Sequence, residues 1–523
     1  MTFDVIVAGA GPVGLMLASE LSLAGIRPLV LERLDAPSLE PKANGLVGQV
    51  VPMMDRRGLS EALSGFAGAP QPNSAYFMFG ALALDLSLLE HSPVYNMAAP
   101  QPRIVSVLRD RAVELGVEIR WGTAISGLAQ DCDGVTVDVS DSGGTHRLRA
   151  RYLVGADGGH SLVRKMSGID FPGISYDRTT GRTAHAAVPA DWLDPVTGAL
   201  RVPGYGPIRP FLPVRTERGG FVYAPLPGNA PLINTTEWDQ PEPAEPMSLE
   251  EVRASVNRVL GADIPIGPPP GPGPHLLRRL IGGNTRLAER FRDRRVLLAG
   301  DAAHVLVFGG GPGLNLGLQD AINLGWKLAA EINGDAPAGL LDTYDTERRA
   351  AASRSVVSAQ AQAAVLAPGA DVTALREVFA ELLTDRQTVQ RLADLIAGSD
   401  VRYDMGDPHP HPLVGYCAPE LELHTGAGTV RLAELTRTAR PLLLDLTEEG
   451  ALADALPEWR DRVDIVAART SGEESPRALL LRPDCYIAWA SDSARPDDTE
   501  LETLRTALTR WFGAASRSAT PVG

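Results

Sequence analysis

A glycine-rich turn near the start of the chain is the first feature whose residue types and spacing could do chemistry. Residues 9–14 read GAGPVG, a GxGxxG pattern. The first glycine of such a pattern permits a tight turn, the second lets the backbone approach a pyrophosphate, and the third lets a helix pack on a strand. Glu32 lies at the spacing at which a carboxylate accepts hydrogen bonds from an adenosine ribose. Because this carboxylate disfavours a 2′-phosphate, the motif predicts bound FAD or NAD, unless the glycines serve packing alone.

Two later turns favour FAD over NAD. Each follows a strand-like segment and joins glycine to aspartate: Gly155-Ala156-Asp157 and Gly300-Asp301. Either aspartate alone could simply form a turn through its own side chain. Ser161 is placed to cap a short helix after the first of these turns. Two such turns in a chain that begins with a GxGxxG motif indicate an extended cofactor. Its pyrophosphate and ribityl groups need hydrogen-bond acceptors, and they need glycines that leave space along the edge of a sheet.

A third glycine cluster, at residues 309–313, precedes a long segment with helical spacing of apolar residues. Glycine clearance at a helix N-terminus is typical of an anion site. Because reduced flavin is anionic, a helix dipole aimed at its ring would stabilise that state. A merely flexible connection is the alternative interpretation.

The elements that must position these turns are those of an α/β fold. A strand at 3–8, a helix ending near Gly25 and a second strand at 28–31 form a βαβ unit. After about residue 171 the pattern changes to alternating strands and proline-rich loops, and the doubly wound pattern returns after the polyproline stretch at 265–274. We therefore predict a discontinuous Rossmann-like FAD-binding domain at 1–170 and 286–400, an inserted mixed or antiparallel substrate-binding sheet at 171–285, and a small α/β domain at 405–523.

Composition excludes several other classes of protein. The formal net charge is −15 and aromatic residues make up 5% of the chain, which disfavours a nucleic-acid partner. The three cysteines lack CxxC spacing, which argues against a disulfide framework or thiolate metal site and fits a reducing compartment. No apolar run approaches the length of a membrane span. We therefore expect a soluble, cytoplasmic protein with no metal site, no membrane association and no nucleic-acid partner, whose redox chemistry comes from a bound cofactor.

These motifs together resemble the class A flavin monooxygenases, the para-hydroxybenzoate hydroxylase-like family. The resemblance lies in VIVAGAGPVG at 5–14, GADGGHSLVRK at 155–165 and GDAAHVLVFGGGPGLNLGLQDAINLGWKLA at 300–329. LDTYDTERR at 341–349 and LLLRPDCYIAW at 479–489 extend it over nearly the whole chain and are similar to the branch that hydroxylates aromatic polyketides. The resemblance implies that the last domain is thioredoxin-like, here without CxxC.

The resemblance also implies a set of cofactor-binding residues. Lys42 stands where the family usually has an arginine near the phosphates, Gln101 is expected at the ribityl chain and Ile125 at the adenine through its backbone. Asp157 is expected at the cofactor and at the approach of NAD(P)H. Since the chemistry is centred on the flavin, no side chain is assigned a catalytic role. The predicted FAD-binding residues are Gly9, Gly11, Pro12, Val13, Gly14, Glu32, Arg33, Lys42, Gln101, Ile125, Asp157, Asp301, Gly313, Leu314 and Asn315.

Two departures from the family pattern fall near the expected flavin face. The usual proline pair after GDAAH is replaced by Val307 and Phe308, and the usual glutamine of the glycine cluster is Pro312. Phe308 is a candidate for stacking on a substrate, with ordinary packing as the alternative. We expect His304 to be structural rather than a base. A lone Cys485 indicates a structural or associative role for the last domain rather than thiol redox chemistry.

The function implied by the resemblance is FAD-dependent monooxygenation. NADPH, or NADH, would reduce the flavin, O2 would add to form a C4a-hydroperoxide, and one oxygen atom would pass to an aromatic polyketide or related polycyclic phenol. Substrate is expected between the inserted sheet and the FAD-binding domain, and a homodimer is left open. The alternatives are Baeyer–Villiger oxygenation or dehydrogenation of a polyketide, a catalytically silent flavoprotein that binds a partner, and a plain NAD dehydrogenase.

Overall fold

The computed structural model describes residues 2–40, 42–225, 230–271, 273, 275–307, 312–470 and 476–515. Its first elements form the predicted βαβ unit: β1 (Thr2–Ala8) runs parallel to β2 (Pro28–Leu31), and α1 (Pro12–Leu23) connects them. Residues 5–7 are apolar and fully buried, because β1 is covered on both faces. Gly25, at φ +79°, reverses the chain after α1 as predicted.

Short elements complete the first part of the chain. Helix α5 begins where the sequence predicts, since the Ser161 hydroxyl accepts a hydrogen bond from Arg164 N at 3.0 Å. In chain order the elements are β3 (Gly45–Val47), α2 (Val50–Asp55), α3 (Ser60–Ser64), β4 (Tyr76–Phe79), β5 (Leu82–Asp85), β6 (Asn96–Ala98), α4 (Gln101–Glu114), β7 (Glu118–Arg120), β8 (Ala124–Gln130), β9 (Val135–Asp141), β10 (Gly144–Gly155) and α5 (Leu162–Met166).

An antiparallel sheet with its own apolar core follows. Its elements are β11 (Gly173–Ser175), β12 (Thr179–His185), β13 (Leu200–Val202), β14 (Gly206–Ile208), β15 (Val214–Thr216), β16 (Gly219–Ala224), β17 (Leu232–Trp238), α6 (Leu249–Leu260) and β18 (Leu277–Ile281). The main sheet has the order β15-β16-β17-β12-β18. Helix α6 covers one face, where Phe221, Ile233 and Val256 are buried together. The predicted inserted sheet is therefore present, whereas its boundaries at 171 and 285 stay a prediction.

The chain then returns to the first domain. The returning elements are β19 (Asn284–Leu287), β20 (Arg292–Asp293), β21 (Val296–Leu298), β22 (His304–Val305), α7 (Pro312–Asn333), α8 (Asp342–Leu366), α9 (Ala370–Leu382) and α10 (Arg386–Ala397). The central sheet has the order β20-β21-β10-β1-β2-β7, in which β21, β10, β1, β2 and β7 are parallel. Because β1, β10 and β21 are parallel neighbours, their carboxyl ends meet at one edge of the sheet.

The last part of the chain is a small α/β unit, as predicted. Its elements are β23 (Glu422–Thr425), β24 (Gly428–Arg431), α11 (Leu432–Leu435), β25 (Leu442–Asp445), α12 (Ala451–Ala455), β26 (Asp464–Ala467), β27 (Arg469–Thr470), β28 (Ala478–Leu481), β29 (Ile487–Ser491) and α13 (Asp498–Phe512). Strand β25 is parallel to β26 and antiparallel to β28, giving a mixed sheet in the order β26-β25-β28-β29. Cys417 and Cys485 are free thiols in this unit.

Helices α7 and α8 connect the central sheet to the last unit. Most residues of α7 are buried, which explains why its apolar residues surround the helix rather than forming one stripe. Helix α7 is therefore packed inside the protein, whereas α8 also has an exposed side. Across the described ranges, no helix combines the length and the apolar character that crossing a bilayer requires.

Buried charges fasten the last unit to these helices. Arg482 is 1% exposed and donates to both carboxylate oxygens of Glu347 in α8, at 2.7 and 2.8 Å. Lys327 Nζ of α7 donates to the same carboxylate at 2.7 Å. The Arg482 guanidinium also lies 4.5 Å from the centre of the Trp511 ring. Separating the two units would leave these buried charges without partners and away from water, which costs free energy. The ion pairs therefore hold the last unit against α7 and α8.

We predict that Arg482→Ala lowers the free energy of unfolding by about 3–5 kcal/mol, because it leaves buried carboxylate charge without its main partner. Urea denaturation followed by circular dichroism measures this change. Arg495, which pairs with Glu448 in solvent, provides the matched control. Arg495→Ala should leave the midpoint unchanged, and equal midpoints for the two variants would contradict the locking role of Arg482.

Candidate functional site

Three turns meet at the carboxyl edge of the central sheet. Ala156 N, just after β10, donates a hydrogen bond to Ala8 O of β1 at 2.8 Å, and Ala299 N, just after β21, donates to Gly155 O at 2.9 Å. The hydrogen-bond ladder therefore continues beyond the strands and aligns the backbones that follow them. The glycine turn (residues 9–14, the first turn), the Gly155-Ala156-Asp157 turn (the second turn) and the Gly300-Asp301 turn (the third turn) lie side by side along this edge.

Glycine is required where these turns touch. Gly9 has φ +108°, and a Cβ there would lie 2.5 Å from Ala156 O. A Cβ on Gly14 would overlap Gly9 O. A Cβ on Gly300, at φ +62°, would lie 2.9 Å from Val13 Cγ2. The turns are in direct contact because these crossing positions carry no side chain.

Gly11 differs from these glycines because the space beside it is open. It is the N-cap of α1, and no described side chain caps that end of the helix. A Cβ built on Gly11 would meet no described atom within 4 Å, and its φ of −74° is ordinary. Packing therefore does not explain this glycine, whereas a pyrophosphate drawn to the helix N-terminus would.

Glu32 is bound to the glycine turn through its carboxylate. Its Oε2 accepts a hydrogen bond from Ala10 N at 2.8 Å, and its Oε1 accepts from Leu34 N at 3.0 Å. Each carboxylate oxygen has capacity for a further bond, so a ribose diol could still be accepted. Glu32 was predicted from the sequence to bind the adenosine ribose. The structure adds a second role, since Glu32 also attaches the glycine turn to the end of β2.

The carboxylate of Asp157 is used within its own turn. It accepts hydrogen bonds from Ser161 Oγ at 2.5 Å, from Leu162 N at 2.7 Å and from Val163 N at 3.2 Å. The side chain therefore organises the start of α5, which is the turn-forming role that the sequence left open. Its backbone lies against Gly9. A contact between Asp157 and the cofactor stays a prediction.

Asp301 faces the crevice between the turn after β21 and the start of α7. Its side chain remains exposed to solvent, yet protein atoms surround it closely, and this desolvation raises the pKa of the carboxyl, although His304 and Lys42 oppose the shift. A Cβ built on Gly313 would lie 3.6 Å from Asp301 Oδ1. Asp301 and Gly313 are therefore neighbours across this crevice.

The remaining predicted residues lie around the same crevice. Asn315 Oδ1 accepts a hydrogen bond from Val47 N at 3.0 Å, which joins α7 to β3. Gln101 begins α4, and its backbone N donates to Ala43 O at 2.8 Å, one residue from Lys42. Leu314, half-buried, lies between Gly313 and Asn315 in α7.

Arg33 and Ile125, which are predicted to lie near the adenine, are less enclosed than the glycine turn. Arg33 is exposed, and Ile125 is half-buried in β8. Thr123 N donates to Glu32 O at 2.8 Å, which brings the start of β8 to the end of β2. Ile125 thus lies close to the residue expected to bind the adenosine ribose.

Sequence reasoning missed two residues that join the turns. Arg164 is 4% exposed and donates to Gly159 O at 3.0 Å and to Ala302 O at 2.9 Å, linking the second turn to the third. Asp320 is fully buried in α7 and binds the third turn. A charged residue within an otherwise apolar helix was the available signal for Asp320. Phe308 and residues 309–311, predicted to lie near the flavin, fall outside the described residues.

The residues present fit FAD. The open uncapped N-terminus of α1 suits a pyrophosphate, Glu32 suits a ribose diol, and Asp301 offers an acceptor for ribityl hydroxyls. The start of α7 would then meet the flavin ring. The assignment of individual contacts remains a proposal.

We predict that Gly11→Ala lowers FAD affinity at least about tenfold while leaving the fold intact, because the new methyl group would occupy space proposed for the pyrophosphate. Flavin fluorescence on dilution of the purified protein measures the affinity. Gly426→Ala is the control, since a Cβ there also meets no described atom within 4 Å. Unchanged FAD binding by the Gly11 variant would show that the pyrophosphate lies elsewhere.

Comparisons with known proteins agree with this geometry. Residues 2–359 match the model of the FAD binding domain family, and residues 411–515 match that of the aromatic-ring hydroxylase C-terminal family. The chain is 42% identical to a 12-dehydrotetracycline 5-monooxygenase/anhydrotetracycline 6-monooxygenase from Streptomyces rimosus, covering 98% of this chain and 99% of the relative. It is 38% identical to a rifampicin monooxygenase from Streptomyces venezuelae, covering 98% and 99% of the two chains.

A solved structure shows the same architecture. That of OxyS anhydrotetracycline hydroxylase from Streptomyces rimosus superposes with a TM-score of 0.84 at 40% identity, covering 99% of this chain and 100% of the other. The first family model covers more than half of the sequence, and these relatives cover 98–99% of it. The chain therefore belongs to the family of FAD-dependent aromatic-ring hydroxylases, in which an FAD-binding domain precedes an aromatic-ring hydroxylase C-terminal domain.

Proposed function

We propose that this protein is an FAD-dependent monooxygenase that uses NAD(P)H and O2 to hydroxylate an aromatic polyketide or related polycyclic phenol. The observation that carries the proposal is the contact of the three turns at one sheet edge, beside an open helix N-terminus. By their names, the relatives described above act on 12-dehydrotetracycline, on anhydrotetracycline and on rifampicin. A large polycyclic substrate is the feature those molecules share.

The FAD-binding residues are proposed from this geometry. Gly9, Gly11 and Gly14, with Pro12 and Val13, would seat the pyrophosphate at α1. Glu32 would bind the adenosine ribose, and Asp301 with Lys42 would meet the ribityl and phosphate groups. The ring edge would face the start of α7. FAD, when bound, supplies electron transfer from NAD(P)H and the activation of O2.

The uncovered face of the inserted sheet is the proposed substrate surface. On strand β12, Arg182 points toward α6, where it pairs with Glu251 at 2.8 Å, so Gly181 and Thr183 lie on the opposite face. At the edge of this sheet, Arg278 pairs with Glu40 of the first domain at 3.2 Å. The face opposite α6 is therefore turned toward the FAD-binding domain, and a pocket at this boundary would enclose the ring system.

The segment just after β22 supports the same placement. Val307 N donates to Thr285 Oγ1 at 3.3 Å, and a Cβ on Gly283 would lie 2.5 Å from Val307 Cγ2. The segment that follows the Asp301 turn is thus packed against β19 and against the connection between β18 and β19. Substrate between sheet and flavin would be held by both parts of the protein.

Asn234 and Thr183 offer polar recognition on the proposed substrate surface. Asn234 Nδ2 donates to Thr183 Oγ1 at 2.7 Å, and both side chains are half-buried. The Asn234 carbonyl oxygen could accept a hydrogen bond from a phenolic hydroxyl of the substrate.

Three finer points stay proposals. NADPH is favoured over NADH only by the family resemblance. A homodimer stays a proposal from the sequence. Free cysteines and the need for reduced nicotinamide favour a cytoplasmic reaction.

Turnover by the purified protein tests the function. We expect a polycyclic phenol to stimulate NAD(P)H oxidation and O2 uptake, with a product one oxygen atom heavier that carries label from ¹⁸O2. Dehydrogenation would give a product lacking hydrogen, and NMR of an oxygenated product would distinguish ring insertion from hydroxylation. A yellow protein that oxidises no NAD(P)H with any of a panel of tetracyclic and naphthalenic phenols would support the silent flavoprotein instead.

We predict that Asn234→Ala raises KM for the aromatic substrate about tenfold and leaves FAD content unchanged, because only the proposed substrate surface loses a polar contact. Steady-state kinetics with the best substrate of the panel measures KM. Asn257→Ala is the control, since Asn257 bonds Asp263 beyond α6, away from that surface. A KM that stays at the wild-type value would place the substrate elsewhere.

A further inference from the structure

Asp320 is a buried carboxylate that ties together elements on both sides of the candidate cofactor site. It lies in α7 and is fully buried. Its Oδ2 accepts hydrogen bonds from Gly300 N at 3.1 Å and from His304 Nε2 at 2.6 Å, and its Oδ1 accepts from Arg348 Nε at 2.7 Å. One side chain thus holds the turn that carries Asp301, strand β22 and helix α8.

Arg348 extends this network to the last domain. It is 1% exposed, and its Nη2 donates to Leu316 O of α7 at 3.1 Å. Its Nη1 donates to Tyr403 Oη at 2.7 Å, and the Tyr403 ring stacks on Tyr486 with centroids 4.1 Å apart. The first half of α7 is therefore clamped between the central sheet and the C-terminal unit.

The charge of Asp320 is maintained in this setting. Burial alone would raise the pKa of its carboxyl, but His304 and Arg348 outweigh burial and hold that pKa below its ordinary value. A neutral amide could not accept all of these hydrogen bonds. It would also leave the Arg348 guanidinium buried without a counterion.

The geometry near the cofactor site gives this network a function. A Cβ on Gly317 would lie 2.9 Å from Gly300 Cα, so α7 and the third turn are in van der Waals contact next to the Asp320 bonds. The predicted flavin contacts at 313–315 lie within about two turns of Asp320 on the same helix. A shift of the helix against the Asp301 turn would alter the width of the crevice between them.

We propose that Asp320 is a positioning residue of the hydroxylase: it fixes the Asp301 turn relative to the start of α7, and thereby sets the seat of the flavin between them. The proposal rests on the placement of FAD given under the proposed function. Asp320 acts through Gly300, His304 and Arg348 rather than by touching the substrate. Substitution of Asp320 should therefore change FAD affinity more than it changes the KM for the aromatic substrate.

Asp320→Asn tests this role with little change in shape. We expect the dissociation constant for FAD to rise at least about tenfold, measured by flavin fluorescence on dilution of the holoenzyme. In the FAD-saturated variant, less hydroxylated product should form per NAD(P)H oxidised. KM for the aromatic substrate should change by less than about twofold, because the substrate surface is untouched.

Asp445→Asn is the matched control. Asp445 is also fully buried, and its carboxylate accepts from Thr447 Oγ1 at 2.5 Å and Leu452 N at 2.9 Å, but it lies in the C-terminal unit. We expect this variant to unfold at a lower temperature with wild-type FAD affinity and coupling. Equal losses in both variants, or wild-type FAD affinity and coupling in D320N, would overturn the proposal.

Two more variants decide the question if D320N is insoluble. Arg348→Lys and His304→Ala each weaken one bond to the carboxylate and leave Asp320 in place. We expect both to retain FAD less tightly than the wild type, and wild-type affinity and coupling in both would overturn the proposal. A wild-type protein that bound no FAD would instead contradict the proposed function.

Discussion

The close approach of three backbone turns is the constraint on which the candidate site depends. Strands β1, β10 and β21 are parallel neighbours, so the segments that leave them emerge side by side. Room for an extended cofactor along that edge exists only if the turns themselves occupy little space. Gly9, Gly14 and Gly300 meet that condition, since a Cβ at any of them would collide with a neighbouring turn or helix. Gly11 is different, because its missing side chain leaves space that the protein itself does not fill.

Buried charges give the surrounding elements a single arrangement. Apolar packing alone would allow α7 and α8 to slide against the sheet at modest cost, whereas a buried ion pair loses its partner when either helix moves. Asp320 with Arg348, and Glu347 with Lys327 and Arg482, place such pairs along both helices. The C-terminal unit supplies Arg482, so it contributes to the rigidity of the FAD-binding domain without needing thiol chemistry of its own.

Local signals in the sequence predicted local structure well. Ser161 caps α5, and the βαβ unit has nearly the expected bounds. Side-chain roles were harder to predict. Asp157 was expected at the cofactor, which stays a prediction, and the structure shows that its carboxylate also organises the start of α5. His304 was expected to be structural. In the structure its Nε2 forms a hydrogen bond with the buried Asp320 carboxylate.

The sequence by itself determined where the chain must turn, which strands are buried on both faces, and that a dinucleotide motif opens the fold. Those features follow from backbone sterics and apolar periodicity, which act over a few residues. Only the tertiary structure decided that Gly300 packs on Val13, that Arg164 joins two turns, and that Asp320 receives an arginine from the next helix. Such partners are far apart in the chain, and their pairing depends on how whole elements pack rather than on the residues beside them.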